Sequence, residues 1–138
     1  METKRVAEMA RQAADVLAQA PAERKNAALA ALADRLDAQR AQILEATAED
    51  MQRASEAGVP QHIVNRLEFS EKKIDGRIRS LRKIYDLPDP VGATIRSWQC
   101  ANGIEAARVR VPLGVIMMIY EARPHVTVNA GAFCLKSG

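Results

Sequence analysis

The chain has 138 residues, of which 48% are hydrophobic, 27% charged and 4% aromatic. That profile fits one soluble globular domain with a core, and it argues against a disordered segment, a membrane span or an aromatic platform for single-stranded nucleic acid. Twenty Lys and Arg against seventeen Asp and Glu give a net charge of +3, spread along the chain without the basic block that grips a phosphate backbone.

Val6, Met9, Ala10, Ala13, Val16 and Leu17 recur at helical spacing and predict an amphipathic first helix with one apolar stripe. Pro21 breaks the pattern and suits the first turn of a second helix, with Glu23 near its positive end. Leu29, Leu32, Leu36, Ile43 and Leu44 carry the stripe on toward Ala48 and Met51, and Gly58-Val59-Pro60 stops it. A short helical turn is expected from Pro60 to Leu67. Ser70 is placed to cap the next helix ahead of Glu71, with Ile74, Ile78, Leu81 and Ile84 on one face. Leu87-Pro88-Asp89-Pro90 ends that helix and marks the sharpest change of composition.

The second half changes period. Thr94 to Cys100 and Ile104 to Val111 flank Asn102-Gly103, a two-residue hairpin signal. After Pro112, the uncharged run Val115–Ile119 reads as a buried parallel strand that delivers the polar loop Tyr120–His125 to a ligand site at its carboxyl end. A helix follows from about Thr127 to Ser137, closed by Gly138. The fold class expected is α/β: an N-terminal helical layer, an antiparallel hairpin, then the first strand–loop–helix of a parallel Rossmann-like sheet. A lone parallel strand needs neighbours, and the second one would be expected after Gly138.

The loop holds the candidate chemistry. Glu121 and Arg123 either contact a bound cofactor or anionic substrate, or pair with each other and pin the loop. Pro124 restricts Arg123 to extended conformations. His125 could donate to a developing oxyanion or act as a general acid; it could equally cap the next helix or sit in solvent. His62 belongs to a polar turn and reads as structural or exposed. Cys134, among Ala132, Phe133 and Leu135, reads as a buried, inert helix cysteine, and Cys100 beside Trp98 as packing. The two cysteines form no CxxC and have no histidine pair nearby, so no metal site is expected. Neither GxGxxG nor GxxxxGK[ST] occurs. The residues Met1 to Arg5 open an amphipathic pattern rather than a signal core, which points to a cytoplasmic protein.

Arg110-Val111-Pro112-Leu113-Gly114-Val115-Ile116, then Ile119-Tyr120-Glu121-Ala122-Arg123-Pro124, Val126-Thr127-Val128 and Cys134-Leu135-Lys136-Ser137-Gly138 resemble the gamma-glutamyl phosphate reductases. This family is also called glutamate-5-semialdehyde dehydrogenase and is a branch of the aldehyde dehydrogenase superfamily. Ile43-Leu44-Glu45-Ala46, Glu56-Ala57-Gly58, Asn65-Arg66-Leu67 and Leu87-Pro88-Asp89-Pro90-Val91-Gly92 match it in the same order. The resemblance covers essentially the whole chain but only the opening part of the family's length.

It implies NADPH-dependent reduction of L-glutamate 5-phosphate (glutamyl phosphate) to L-glutamate 5-semialdehyde with release of phosphate, a step of proline synthesis. Residues 1–90 would be the helical part of the cofactor domain, 91–111 a hairpin like the oligomerisation sheet of a homo-oligomer, and 112–138 the start of the Rossmann-like NADPH-binding sheet. Tyr120, Glu121, Ala122 and Arg123 match the segment beside the nicotinamide. The superfamily's oxyanion-stabilising asparagine aligns with Arg123 without a gap or with His125 with one. His125 stands where the family usually has asparagine, Met117 where it has glycine and Asn129 where it has aspartate. The family's catalytic cysteine lies in a later domain, so the isolated chain is expected to be inactive. The competing expectation is a non-catalytic module that acts in assembly through its hairpin edge.

Overall fold

A computed structural model describes residues 2–138. Helices α1 (Glu2–Ala18), α2 (Ala22–Ala38), α3 (Arg40–Glu56), α4 (Gln61–Leu67) and α5 (Glu71–Asp86) precede a hairpin of β1 (Thr94–Gln99) and β2 (Glu105–Val109), and α6 (Pro124–Ser137) follows it. The core lies among α2, α5 and α6. Leu29, Ala33 and Leu36 of α2 face Ile74, Ile78, Leu81 and Ile84 of α5, joined by Ala132 of α6 and by Phe69 from the turn before α5. Each set recurs at steps of three and four, which keeps it on one helix face. Burying each large aliphatic side chain contributes about 1.5–3 kcal/mol.

Polar ties pin both ends of this three-helix layer. At one end Arg40 reaches Asp37 at 2.7 Å, Glu71 at 2.6 Å and Asp75 at 2.6 Å. Hydrogen bonds to Asp37, Glu71 and Asp75 in turn raise the guanidinium's pKa further above its ordinary value. The stripe running on from Leu29 to Leu44 carries no breaker, yet the helix breaks at Gln39, whose φ of −101° and ψ of 17° separate α2 from α3. The break sets Arg40 against the first turn of α5.

At the other end Lys25, with its side chain 1% exposed, bonds Asp89 at 3.0 Å. Asp89 also accepts the Val91 N–H at 2.9 Å. Burial opposes the charge on Asp89, but the Val91 N–H, Lys25 and Lys136 outweigh it and hold the carboxyl below its ordinary pKa. Lys136, also buried, donates to Asn26 Oδ1 at 2.7 Å and to the Tyr85 carbonyl at 3.1 Å. These bonds fix α2 antiparallel to α5, and α6 parallel to it.

Four expectations need correction. The apolar stripe of α1 is not in the core: none of its described residues is buried, because α1 makes no extended packing contact with another element. The hairpin turn is not a two-residue Asn-Gly turn. Cys100 and Ile104 close around Ala101-Asn102-Gly103, with the Gly103 N–H on the Cys100 carbonyl and Gly103 at φ +85°. A three-residue loop of this kind needs the left-handed residue third, which is where glycine stands.

The run Val115–Ile119 forms no strand here, since β1 and β2 make the one ladder among the described residues. It is also exposed, Met117 at 77% and Ile119 at 84%. Its path still resembles a strand feeding a helix. Pro112 abuts Gly138 at the end of α6, and Tyr120 bonds Thr127 at the start of α6. Lastly, α6 begins at Pro124, three residues earlier than expected, because proline fits the first helical position without losing a bond.

Candidate functional site

The loop Tyr120–His125 lies where the extended segment turns into α6. Ala122 makes that turn with φ +48°, the positive-φ residue other than glycine among those described. The left-handed region costs an L-residue about 1–2 kcal/mol. The loop around it is held by the Tyr120 hydroxyl, which shares a hydrogen bond with Thr127 Oγ1. Arg123 precedes the helix at φ −140° and ψ 79°, as the following proline demands.

Glu121 and Arg123 are both exposed. No ion pair joins them among the described residues, so the pinning pair is replaced by the Tyr120–Thr127 bond. His125 is the second residue of α6 and is half-buried. Burial, then the charges of Arg77, Lys73 and Arg123, push its pKa below the ordinary value. At neutral pH the ring is therefore uncharged, keeping one N–H donor and one acceptor nitrogen. The first turn of α6 adds little donor capacity there, since Pro124 has no N–H and the Val126 N–H is bonded to the Arg123 carbonyl at 2.9 Å.

The helix register explains why Arg77 reaches this place. Lys136 bonds the Tyr85 carbonyl, and Leu81 and Ala132 share the core. Two turns back along these parallel helices, Arg77 and Ile78 come level with Asn129, and Lys73 with His125. Arg77 Nε and Asn129 Oδ1 are both shielded from solvent without a hydrogen-bond partner. Lys73 is occupied by Glu68 at 2.8 Å.

Cys134 does not join this group. It is half-buried rather than buried. It also lies nine residues along α6 from His125, a rise of about 14 Å. Cys100 is half-buried at the hairpin turn, and His62 is exposed. Among the described residues no three His, Cys, Asp or Glu side chains gather as a metal ion would need. Among the same residues no helix is long and apolar enough to cross a membrane.

Sequence reasoning overlooked Lys25, Lys136 and Arg77. The first two carried a readable signal: Lys25 is one turn before Leu29 on the stripe that continues to Ala33 and Leu36, and Lys136 is one turn after Ala132. A lysine at core spacing calls for a buried acceptor.

The chain is 50% identical over 129 residues to gamma-glutamyl phosphate reductase of Parvibaculum lavamentivorans, covering 94% of this chain and 30% of that protein. With the enzyme of the same name from Desulforamulus reducens it shares 42% identity over 98% of its length and 32% of the relative's. It is homologous to part of gamma-glutamyl phosphate reductase. Solved structures agree. The gamma-glutamyl phosphate reductase of Thermotoga maritima superposes with a TM-score of 0.88 at 44% identity, over 95% of this chain and 32% of that one. The Saccharomyces cerevisiae enzyme gives a TM-score of 0.93 at 29% identity, over 99% and 35%. No family model matches. The chain thus spans about a third of the reductases it resembles.

Proposed function

We propose that these residues serve the NADPH-dependent reduction of L-glutamate 5-phosphate to L-glutamate 5-semialdehyde with release of phosphate, in proline synthesis. The observation that carries this reading is 42–50% identity to gamma-glutamyl phosphate reductases over nearly all of the chain. In this reading 1–90 form the helical part of the cofactor domain and 91–111 the assembly hairpin of a cytoplasmic homo-oligomer. Residues 112–138 open the Rossmann-like sheet.

The loop fits the nicotinamide end of a dinucleotide. The exposed segment before Tyr120 offers an apolar wall, and Tyr120, Glu121, Ala122 and Arg123 lie at its end, where the chain enters α6. No glycine-rich phosphate cradle is among these residues, so the rest of the cofactor would rest on other parts of the protein. When bound, NADPH supplies the hydride.

The chain's own residues then have separate tasks. Ala122 turns the loop, and Tyr120 holds it on α6 through Thr127. Arg123, exposed at the helix start, attracts the anionic substrate. The uncharged His125 ring donates a hydrogen bond to the acyl oxygen as negative charge develops there. Cys134 takes no part, and the 138 residues by themselves are expected to oxidise no NADPH.

The test is a chimera in which this chain replaces the matching third of the Thermotoga maritima enzyme. Assayed in reverse, it is expected to reduce NADP⁺ only with semialdehyde and phosphate both present. His125→Ala should lower kcat about 10²-fold, as loss of one oxyanion donor does. A folded chimera without turnover would overturn the reading and favour a non-catalytic assembly module pairing through the hairpin edge.

A further inference from the structure

The hairpin sets two arginines against each other. Arg96 stands directly opposite Arg108 across β1 and β2, so both side chains leave the same face of the ribbon. A register slip between Thr94 and Arg96 produces this pairing. Continuing the Thr94–Val109 register would have put Arg96 opposite Ala107. Like charges in opposed positions weaken a two-stranded ribbon. Neither guanidinium makes an ion pair with any described carboxylate. Glu105, the acidic residue of the hairpin, sits at the far end opposite Gln99.

The arrangement is held in place and hollow. The Arg96 guanidinium lies over the Trp98 ring, 5.8 Å from its centroid, an attraction that restrains the side chain. Arg96, Arg108, Trp98 and Gln99 line a cavity of about 450 Å³. Two guanidiniums offer paired N–H donors of the geometry that matches carboxylate or phosphate oxygens. Trp98 adds a flat wall, and Gln99 completes the rim. A negative group between the arginines turns their repulsion into two attractions.

We propose that the Arg96–Arg108 face of the hairpin is a binding site for a small oxyanion of phosphate or carboxylate chemistry. It shares no residue with the loop at Tyr120–His125. Because the arginines are exposed, binding is weak and falls as salt is added.

The experiment titrates the 138-residue chain with inorganic phosphate, and separately with acetate, at constant low ionic strength, followed by NMR. Saturable shifts at the Trp98 indole, the Gln99 amide and the Arg96 and Arg108 Nε–H groups are expected, with midpoints in the millimolar range. Arg96→Gln and Arg108→Gln should each weaken binding about tenfold, while unchanged Cys100 and Gly103 amide shifts show that the ribbon is intact. Phosphate alone, acetate alone or both producing these shifts supports the site and assigns its ligand class. Linear shifts without saturation, or an affinity unchanged from the parent in both variants, overturn it. Shifts that follow chain concentration instead of added anion would place a carboxylate of a second copy there and also overturn it.

Discussion

Replacing Asp89 with alanine leaves the Lys25 ammonium in the core without a counter-charge. The Lys25 side chain is 1% exposed and its Nζ has Asp89 as its side-chain partner, at 3.0 and 3.3 Å from the two oxygens. The same substitution frees the Val91 N–H, now bonded to Asp89 at 2.9 Å. Removing one member of a buried pair costs about 3–5 kcal/mol, because the survivor keeps its full desolvation penalty. For a chain of this size each kcal/mol moves Tm by about 3–5 °C, so a drop of about 10–20 °C is expected. The assay is thermal unfolding by circular dichroism at pH 7. Lys25→Met combined with Asp89→Ala should recover most of the loss, since no buried charge remains. A single variant within about 3 °C of the parent, or a double variant no better than the single, would refute the reasoning. Acid supplies an independent check. The Asp89 carboxyl has its pKa lowered in the folded state. Its contribution is therefore complete above the unfolded value of about 3.9 and is lost as pH falls below it. The gap between parent and Asp89→Ala should close over that range.

Other outcomes follow from the same geometry. Arg77→Met should raise the pKa of His125 toward the ordinary histidine value, read from the ring-carbon shift in an NMR titration. An unchanged titration would remove Arg77 as a cause, leaving burial, Lys73 and Arg123. Because the folded value is depressed, His125 is expected to destabilise the fold increasingly as pH falls through about 6.5. Gly103→Ala, at φ +85° with no atom within 4 Å of the added carbon, should cost about 1–2 kcal/mol through backbone strain alone. Faster hydrogen exchange at the Cys100 and Gly103 amides, without change in the helices, is the signature. Deleting residues 2–18 should lower helical signal but move Tm by only about 3 °C, since α1 buries no residue. A fall beyond about 10 °C would make α1 part of the cooperative core.

Much of the helical layer was legible because its signals are local. Ile74, Ile78, Leu81 and Ile84 announce a buried face by spacing, and all four are buried. The stop at Leu87-Pro88 follows from proline's effect on the residue before it. The break at Gln39 was not legible, because two of the three partners of Arg40, Glu71 and Asp75, lie more than thirty positions away in α5. Val64 and Phe69 also escaped notice, each a buried side chain in a stretch too short for periodicity to single out. At the candidate site, the loop's position before α6 could be read from Pro124 and the apolar run. That Glu121 and Arg123 do not pair could not, nor could the charges that converge on His125.

The sequence by itself determined most of the helical layer, the two arms of the hairpin and the loop that precedes α6, because backbone preference and apolar spacing act over a few residues, while its motifs carried the likeness to a reductase family. Only the tertiary structure decided which faces are buried. It left the α1 stripe and the Val115–Ile119 run exposed for want of a packing partner, and it brought Lys25 to Asp89 and Arg77 to His125. It also slipped the hairpin register so that Arg96 meets Arg108. Burial and charge pairing depend on what the rest of the chain places nearby, and no local pattern carries that distance.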